Sequence, residues 1–313
     1  MRKLVLASPR GYCAGVERAI ETVERALALH GAPVYVRRQI VHNAHVVEEL
    51  ERRGAVFVES EEDVPVGALL VLSAHGVAPL VRERAKLRRL RTIDATCPLV
   101  AKVHAEARRY AAEGYTILLV GHEGHEEVEG TLGEAPGATI VVETVAGAES
   151  VRVDDPARVA YVTQTTLSVD ETAEIVATLR RRFPRIEGPE EGDICYATTN
   201  RQRAVKELAA EVDLLLVIGS QNSSNSNRLV ETARAAGVAA HLIEDETAID
   251  ERWLERAKTV GLTSGASAPE RLVTRVCDWF RGRDVDVRMG ATVVEDVLFR
   301  LPPELRRELP AAS

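Results

Sequence analysis

The sequence predicts an α/β protein made of three related units with mainly parallel sheets, and three observations lead to this fold class. Short apolar segments alternate with amphipathic helical segments, a pattern typical of parallel sheets covered by helices. Cys13, Cys97 and Cys195 each stand where a predicted strand gives way to a helix. Polar clusters follow each cysteine at similar distances. We therefore expect three pseudo-threefold-related units, each with a four-stranded sheet.

The first polar cluster of each unit follows its second strand. The cysteine junctions read LASPRGYCAGVERAI, TIDATCPLVAKVHAEA and GDICYATTNRQRAVKEL, and the second strands end in VHN, GHEGH and GSQNSSN. These ends contain His42, His125 and Ser223, which lie 29, 28 and 28 residues after their cysteines. Such constant spacing indicates that the clusters are equivalent.

A fourth strand in each unit, after a short third one, ends in a further polar turn. These turns contain His75, Thr165 and Ser267, at 62, 68 and 72 residues after their cysteines. Ligands of open parallel sheets gather at the carboxyl ends of the strands, where helix N-termini also point. We expect the cysteines and both sets of clusters to surround one cavity. The predicted divisions of the chain are repeats at 1–90, 91–190 and 191–281, followed by a C-terminal tail at 282–313.

Composition excludes several classes of function. The chain has 313 residues, a net charge of −8 and 4% aromatic residues, which argues against binding to nucleic acid or to an anionic membrane surface. The first strand begins almost at the N-terminus, so we expect no signal peptide, and no apolar run reaches transmembrane length. We therefore expect a cytoplasmic protein with reduced thiols, in which cysteines serve as ligands, catalysts or core residues.

Three thiolates at one point would suit a metal centre. Zinc accepts three sulfurs and a water, but its usual sites take closely spaced cysteine pairs, which are missing from this sequence. A [4Fe–4S] cluster usually has four cysteine ligands, so three would leave one iron open to a substrate. Cys277 lies within the apolar stripe of a predicted helix, and we expect it to be a buried core thiol.

The polar clusters favour a small anionic ligand with an acid nearby. Apart from Arg228 they contain no lysine or arginine, so we expect an anion to be met by imidazolium, hydroxyl and amide donors and by helix N-termini, a combination suited to phosphate oxygens. The second unit adds four acids in one stretch, and a partly buried carboxyl there would make a proton donor. The residues alone do not choose among these four acids, which are Glu123, Glu126, Glu127 and Glu129.

Several long motifs resemble one enzyme family. They include PRGYCAGVERAIE, DATCPLVAKVH, GHEGHEEVEGT, TQTTLSVDET, DICYATTNRQ, GSQNSSNSNRL and TSGASAPE, and they run in order from about residue 3 to 282. Together they closely resemble the 4-hydroxy-3-methylbut-2-enyl diphosphate reductases, the LytB/IspH family. The family fold, three α/β lobes about a central iron–sulfur cluster, agrees with the repeats.

The resemblance implies a role for each matching residue. Cys13, Cys97 and Cys195 would hold one [4Fe–4S] cluster, whose open iron takes the substrate hydroxyl. Glu127 would supply protons, with Thr165 near the substrate hydroxyl and Thr166 in the same turn. In many members a proline stands where this chain has Glu126, which places an extra charge beside the presumed acid. The residues expected to surround the diphosphate are His42, His75, His125, Ser223, Ser224, Asn225 and Ser267.

The resemblance also implies the reaction. It is the reductive removal of the hydroxyl from (E)-4-hydroxy-3-methylbut-2-enyl diphosphate, giving isopentenyl and dimethylallyl diphosphates in the last step of the methylerythritol phosphate route. The electron donor would be a protein such as ferredoxin or flavodoxin with its NADPH-dependent reductase. Two alternatives stay open: a cluster-bearing sensor or binding protein, and a zinc hydrolase of a phosphorylated metabolite.

Overall fold

A computed structural model of the chain describes residues 3–190, 192–290 and 294–308. The strands of this part are β1 Lys3–Leu6, β2 Val34–Arg37, β3 Ala55–Val58, β4 Leu69–Leu72, β5 Arg91–Asp94, β6 Thr116–Val120, β7 Thr139–Val142, β8 Val159–Thr163, β9 Leu214–Ile218, β10 Ala239–Ile243, β11 Thr259–Ser264 and β12 Asp286–Met289. The helices are α1 Ala14–His30, α2 Ala44–Arg52, α3 Pro79–Leu87, α4 Pro98–Ala112, α5 Glu126–Glu134, α6 Val145–Ser150, α7 Val169–Arg182, α8 Tyr196–Ala209, α9 Ser224–Ala235, α10 Glu270–Arg281 and α11 Pro303–Glu308.

The chain divides into two compact units, each built from separate segments. The first unit contains a five-stranded sheet and consists of the described residues of Met1–Ala14, His42–Val46 and Tyr196–Leu298. The second unit contains a four-stranded and a three-stranded sheet and consists of the described residues of Gly15–Val41, Val47–Cys195 and Phe299–Ser313. Among the described residues, no helix combines the length and the apolar character needed to cross a membrane.

The three sheets share a core of three strands in the same order, which is β10-β9-β11, β3-β2-β4 and β7-β6-β8. They run β10-β9-β11-β1-β12, β3-β2-β4-β5 and β7-β6-β8, and every pairing is parallel. The predicted α/β class with a threefold repetition of a parallel sheet is confirmed. The sheets have five, four and three strands instead of four each.

The two strands that precede Cys13 and Cys97 join sheets whose other strands come from other predicted divisions of the chain. β5, which precedes Cys97, pairs with β4, and β1, which precedes Cys13, pairs with β11 and β12. The edge strand β12 lies within the predicted tail at 282–313, of which residues 291–293 and 309–313 are outside the described residues. The repeat boundaries at 90/91 and 190/191 stay a prediction.

The strand predicted to end at Cys195 does not form in the described residues before it. This segment makes one isolated parallel bridge, between Glu187 and Ala160 of β8. Its sequence, GPEEGD, explains the difference, because proline cannot donate to a ladder and glycine weakens a strand. Gly188 is also required by its surroundings, since a Cβ there would lie 2.1 Å from the ring of Tyr161.

Apolar side chains cover both faces of the five-stranded sheet. Leu214, Leu216 and Ile218 of β9 pack with α10 on one face, while Leu215 and Val217 pack with α8 and α9 on the other. This continuous apolar run is typical of a parallel strand with helices on both sides. The prediction for Cys277 is confirmed, because the thiol is buried in α10 within the first of these clusters, where burial raises its pKa.

We expect the replacement Leu119→Ala in β6 to lower the free energy of unfolding by about 2–5 kcal/mol, because the side chain is fully buried and its removal leaves a cavity. Leu87→Ala is the matched control, since that leucine is 83% exposed at the end of α3 and should change stability by less than about 0.5 kcal/mol. Urea unfolding of the two variants measures both values. Equal losses would contradict the assignment of the core.

Candidate active site

The three repeated cysteines all stand at the start of a helix. Cys13 directly precedes α1, Cys97 is the N-cap of α4 and Cys195 directly precedes α8. All three thiols are half-buried, and none of them is part of a disulfide. A helix N-terminus favours a thiolate, because its free N–H groups and its dipole stabilise negative charge. These positions suit metal ligation better than disulfide formation or core packing.

The same backbone hydrogen bond recurs at the three cysteines. Each cysteine N–H donates to a carbonyl in the turn that follows β4, β8 or β11. The bonds run from Cys13 to Ala266 (3.3 Å), from Cys97 to Ala74 (2.9 Å) and from Cys195 to Thr165 (3.1 Å). Thr165 is itself a predicted substrate residue, and His75 and Ser267 come directly after the other two acceptors. The predicted second clusters therefore hold the backbone of the cysteines.

In the first unit, hydrogen bonds at Ala266 and its neighbour Ser267 bring four predicted residues together, which are Cys13, His42, Asn225 and Ser267. The side-chain oxygen of Asn225 accepts the Ala266 N–H at 2.9 Å, so one residue is held by Asn225 through its amide and by Cys13 through its carbonyl. The hydroxyl of the next residue, Ser267, donates to the carbonyl of His42 at 2.9 Å. The structure thus brings together residues from the first turn of α9, the turn after β11 and the loop before α2.

The run SQNSSNSN forms the N-terminal cap of α9. Ser223 is the N-cap and accepts the N–H of Ser226 at 3.3 Å, while Ser224 is the first helical residue. The side-chain Nδ2 of Asn222 lies 3.4 Å from the ring Nδ1 of His42. The prediction of a donor-rich helix cap in place of a flexible linker is confirmed.

In the second unit, Glu127 and Thr165 form a buried pair. Thr165 donates its N–H to one carboxyl oxygen at 2.6 Å, and its hydroxyl lies 3.1 Å from the other. Both residues are at least 96% buried. Burial raises the pKa of Glu127 to about 7, although the two bonds from Thr165 act in the opposite direction. A carboxyl with this pKa can both hold and release a proton near neutral pH.

The four acids of the stretch at 123–129 differ in burial, and one of them is fully enclosed by protein. Glu127 is buried, whereas Glu126 is half-buried and Glu123 and Glu129 are exposed. The Glu126 carboxylate lies 3.5 Å from the Nδ1 of His75. The charged neighbour that further raises the pKa of Glu127 is Asp193.

Two predicted histidines lie against each other beside the buried pair. His125 is the N-cap of α5 and its Nδ1 accepts the N–H of Glu127 at 3.2 Å. The rings of His75 and His125 meet edge to face with centroids 6.0 Å apart. Burial, assisted by Arg38, lowers the pKa of His75 to about 4. His75 would therefore meet an anion as a neutral N–H donor, and not as the imidazolium that the sequence suggested.

The turn after β8 is fixed by side-chain amides. Gln164 donates to the hydroxyl of Thr166 at 2.9 Å and accepts the N–H of His122 at 3.1 Å. Gln164 is 1% exposed. This arrangement holds Thr166 beside Thr165 and ties the turn to the loop that carries His125.

Sequence reasoning missed two residues next to Cys195. Asp193 is buried and accepts the N–H of Thr163 at 2.9 Å, and burial raises its pKa to about 7. The hydroxyl of Tyr196 accepts the N–H of Ala14 at the start of α1 at 3.2 Å, and burial raises its pKa to about 12. Neither residue recurs in the other repeats, so the search for equivalent positions could not find them.

Comparisons with known proteins agree with the motifs. The model of the family described as LytB protein matches residues 4–281. The 4-hydroxy-3-methylbut-2-enyl diphosphate reductase of Acidothermus cellulolyticus is 61% identical, over 99% of this chain and 92% of the relative. The enzyme of that name from Streptomyces avermitilis is 55% identical, over 100% of this chain and 93% of the relative.

Solved structures show the same fold. The E-1-hydroxy-2-methyl-but-2-enyl-4-diphosphate reductase from Plasmodium falciparum superposes with a TM-score of 0.95 at 41% identity, and covers 98% of both chains. A structure described as (E)-4-hydroxy-3-methyl-but-2-enyl diphosphate reductase, the terminal enzyme of the non-mevalonate pathway, gives a TM-score of 0.62 at 32% identity, over 90% of this chain and 100% of that one. The resemblance found in the motifs is thereby confirmed, and the chain belongs to the LytB family of 4-hydroxy-3-methylbut-2-enyl diphosphate reductases.

Proposed function

We propose that the chain catalyses the reductive dehydroxylation of (E)-4-hydroxy-3-methylbut-2-enyl diphosphate to isopentenyl and dimethylallyl diphosphates. Two electrons and two protons enter, the allylic C–O bond breaks, and water leaves. The observation that carries this proposal is the buried carboxyl of Glu127, bonded to Thr165, whose carbonyl accepts the amide of Cys195. The reductase names of the relatives support the same activity.

We propose one [4Fe–4S] cluster with Cys13, Cys97 and Cys195 as its protein ligands. The donor set fits, because each is a half-buried cysteine at a helix start whose amide makes the same backbone hydrogen bond. Such a cluster, when bound, would supply electrons and one iron without a protein ligand. The missing strand before Cys195 does not weaken the fit, since its amide bond to Thr165 is retained.

The diphosphate is proposed to lie among neutral donors. Hydroxyls, amides and helix N-termini hold phosphate oxygens, and the neutral His75 donates an N–H until the anion raises its pKa. Fixed donors orient the reacting carbon and help to exclude water. The proposed residues are His42, His75, His125, Thr165, Thr166, Ser223, Ser224, Asn225 and Ser267.

Glu127 is proposed to deliver protons through Thr165. In its protonated form the carboxyl donates to the Thr165 hydroxyl, which passes its own proton to the departing oxygen. The carboxyl is then reprotonated near neutral pH, because burial holds its pKa at about 7.

We propose a cytoplasmic enzyme that receives electrons from a ferredoxin or a flavodoxin with its NADPH-dependent reductase. The two alternatives fit less well. A sensor would not need a buried acid with a raised pKa beside its cluster, and a zinc hydrolase would not need reducing equivalents.

Glu127→Gln should lower turnover by about 10²-fold or more, because an amide cannot supply the proton. The amide keeps the size of the side chain and an acceptor for the Thr165 N–H, so iron content and thermal midpoint should match the parent protein. Anaerobic turnover with a dye reductant measures the effect. Full activity in a cluster-loaded variant would refute the role of Glu127.

Turnover should fall as the pH rises through about 7. The acid must be protonated to act, and its raised pKa means that the protonated fraction is large below pH 7 and decreases above it. The profile of kcat is measured with a reductant in excess at every pH. The residual activity of Glu127→Gln should lack this descending limb, and a limb that persists in the variant would assign it to another group.

Anaerobically purified protein should contain about four iron and four sulfide per chain. Replacing Cys13, Cys97 or Cys195 by alanine should lower both contents, whereas Cys277→Ala is the control that should retain them because its thiol is buried in α10. Zinc in place of iron would favour the hydrolase. A full cluster without turnover of the diphosphate would favour the sensor.

A further inference from the structure

Three basic side chains hold the turns that carry the cysteines. Arg18, Lys102 and Arg201 lie five, five and six residues after Cys13, Cys97 and Cys195, in the helices that those cysteines begin. None of them belongs to the polar clusters described above. Each cation donates to at least one backbone carbonyl that lies one to three residues before a different cysteine.

Arg201 holds the turn before Cys13. Its side chain is fully buried, and its guanidinium donates to the carbonyl of Gly11 at 2.8 and 3.2 Å and to that of Tyr12 at 3.3 Å. Gly11 has a φ of +69°, a left-handed conformation that glycine adopts most readily. Glu295 completes the arrangement, with both carboxylate oxygens 3.1 Å from the guanidinium.

Arg18 holds the turn before Cys97 in the same way. It is 8% exposed, and it donates to the carbonyls of Ala95 and Thr96 at 2.9 and 3.0 Å. Its remaining Nε donates to the carbonyl of Arg300 at 2.8 Å. The segment at 294–300 thus supplies an acceptor to Arg18 and, through Glu295, to Arg201.

Lys102 holds the turn before Cys195. Its ammonium donates to the carbonyl of Gly192 at 3.1 Å and lies 3.5 Å from the carboxylate of Asp193. The other oxygen of Asp193 accepts the N–H of Thr163 at the end of β8. The lysine therefore ties the turn to the strand that leads to Thr165.

Burying Arg18 and Arg201 costs free energy that a purely structural role would not require, whereas the side chain of Lys102 is 38% exposed. An apolar replacement of a buried ion pair is often neutral or stabilising, yet Arg201 is fully buried against one carboxylate. A guanidinium offers five donors in a rigid fork, which suits it to fix adjacent carbonyls. The common feature of all three cations is the turn ahead of a cysteine.

We propose that Arg18, Lys102 and Arg201 are positioning residues that connect the three cysteines in a cycle, in which the helix begun by one cysteine fixes the turn that presents the next. The order is Cys13 to Cys97, Cys97 to Cys195, and Cys195 to Cys13. This inference rests on the proposed cluster ligands. It assigns each cation to the cysteine whose turn it holds and not to the cysteine that begins its own helix.

Single-label alkylation tests this assignment. Lys102→Met, Arg18→Met and Arg201→Met are purified anaerobically and treated with limiting iodoacetamide, and mass spectrometry locates the first label. In each variant we expect one cysteine to be labelled at least about tenfold faster than in the parent protein, which is the effect expected for the loss of a charge-assisted hydrogen bond. The labelled residue should be Cys195 in Lys102→Met, Cys97 in Arg18→Met and Cys13 in Arg201→Met.

The controls separate this effect from general unfolding. Arg203→Met removes a 75% exposed arginine from the same helix as Arg201 and should label like the parent protein. Lys102→Arg should restore the parent pattern. If the buried Arg201→Met does not fold, Glu295→Gln takes its place and should favour Cys13, because it removes the charged partner of Arg201.

The outcomes distinguish this inference from the proposed function. Preferential labelling of the cysteine that begins the same helix, or even labelling of all three, would overturn the inference. The cluster proposal would be overturned if the parent protein contained no iron and its three cysteines were labelled at the rate of an unstructured peptide. Labelling rates relative to the parent protein still test the cycle in that case, because the carbonyl contacts belong to the polypeptide itself.

Discussion

The hydrogen bond from each cysteine amide to the turn after β4, β8 or β11 is the contact on which the candidate site depends. It fixes the backbone of Cys13, Cys97 and Cys195 relative to strands that are buried in the sheets. The acceptors lie beside or among the residues expected to bind substrate, so the bond that orients a thiol also orients a substrate contact. This shared support explains why the clusters recur at similar distances from the cysteines.

Burial in a low-dielectric environment raises the pKa of Glu127, so that this carboxyl can serve as an acid. Glu127 sits between a helix start and a strand end, and burial outweighs the two bonds from Thr165 in setting its pKa. The same burial lowers the pKa of His75. Burial thus raises the protonated fraction of the carboxyl near neutral pH and keeps the imidazole neutral, which suits the proposed binding of a diphosphate and the proposed proton donor.

The sequence predicted those parts of the site that recur in each repeat, namely the cysteines and the polar turns. Equivalent offsets revealed the cysteines and both sets of polar turns, because strand length and helix length fix the spacing in every repeat. Membership in the family followed from long motifs. The exchange of strands between repeats was not visible, since β1 and β5 read as ordinary apolar strands whichever sheet receives them.

Other features depend on tertiary contacts that no local pattern encodes. Burial distinguishes Glu127 from the other three acids only in three dimensions, and the strand expected before Cys195 is replaced, in the described residues, by one isolated bridge at Glu187. The equal spacing of Arg18 and Lys102 from their cysteines was visible in the sequence. Its meaning was not, because basic residues in amphipathic helices usually face solvent.

The pairing of β1 with β11 and β12 has a consequence for the synthesis of the protein. Residues 3–6 are synthesised before their partners, which lie at 259–264 and 286–289. β1 therefore cannot pair until residues 259–264 have been made, whereas β5, at 91–94, follows its partner β4, at 69–72, closely in the chain. At the translation speeds of cells this delay lasts on the order of ten seconds or more. The amide bond of Cys13 to Ala266 therefore becomes possible later in synthesis than the bonds of Cys97 to Ala74 and of Cys195 to Thr165, and a site that needs all three bonds can be completed only after residue 266 has been made.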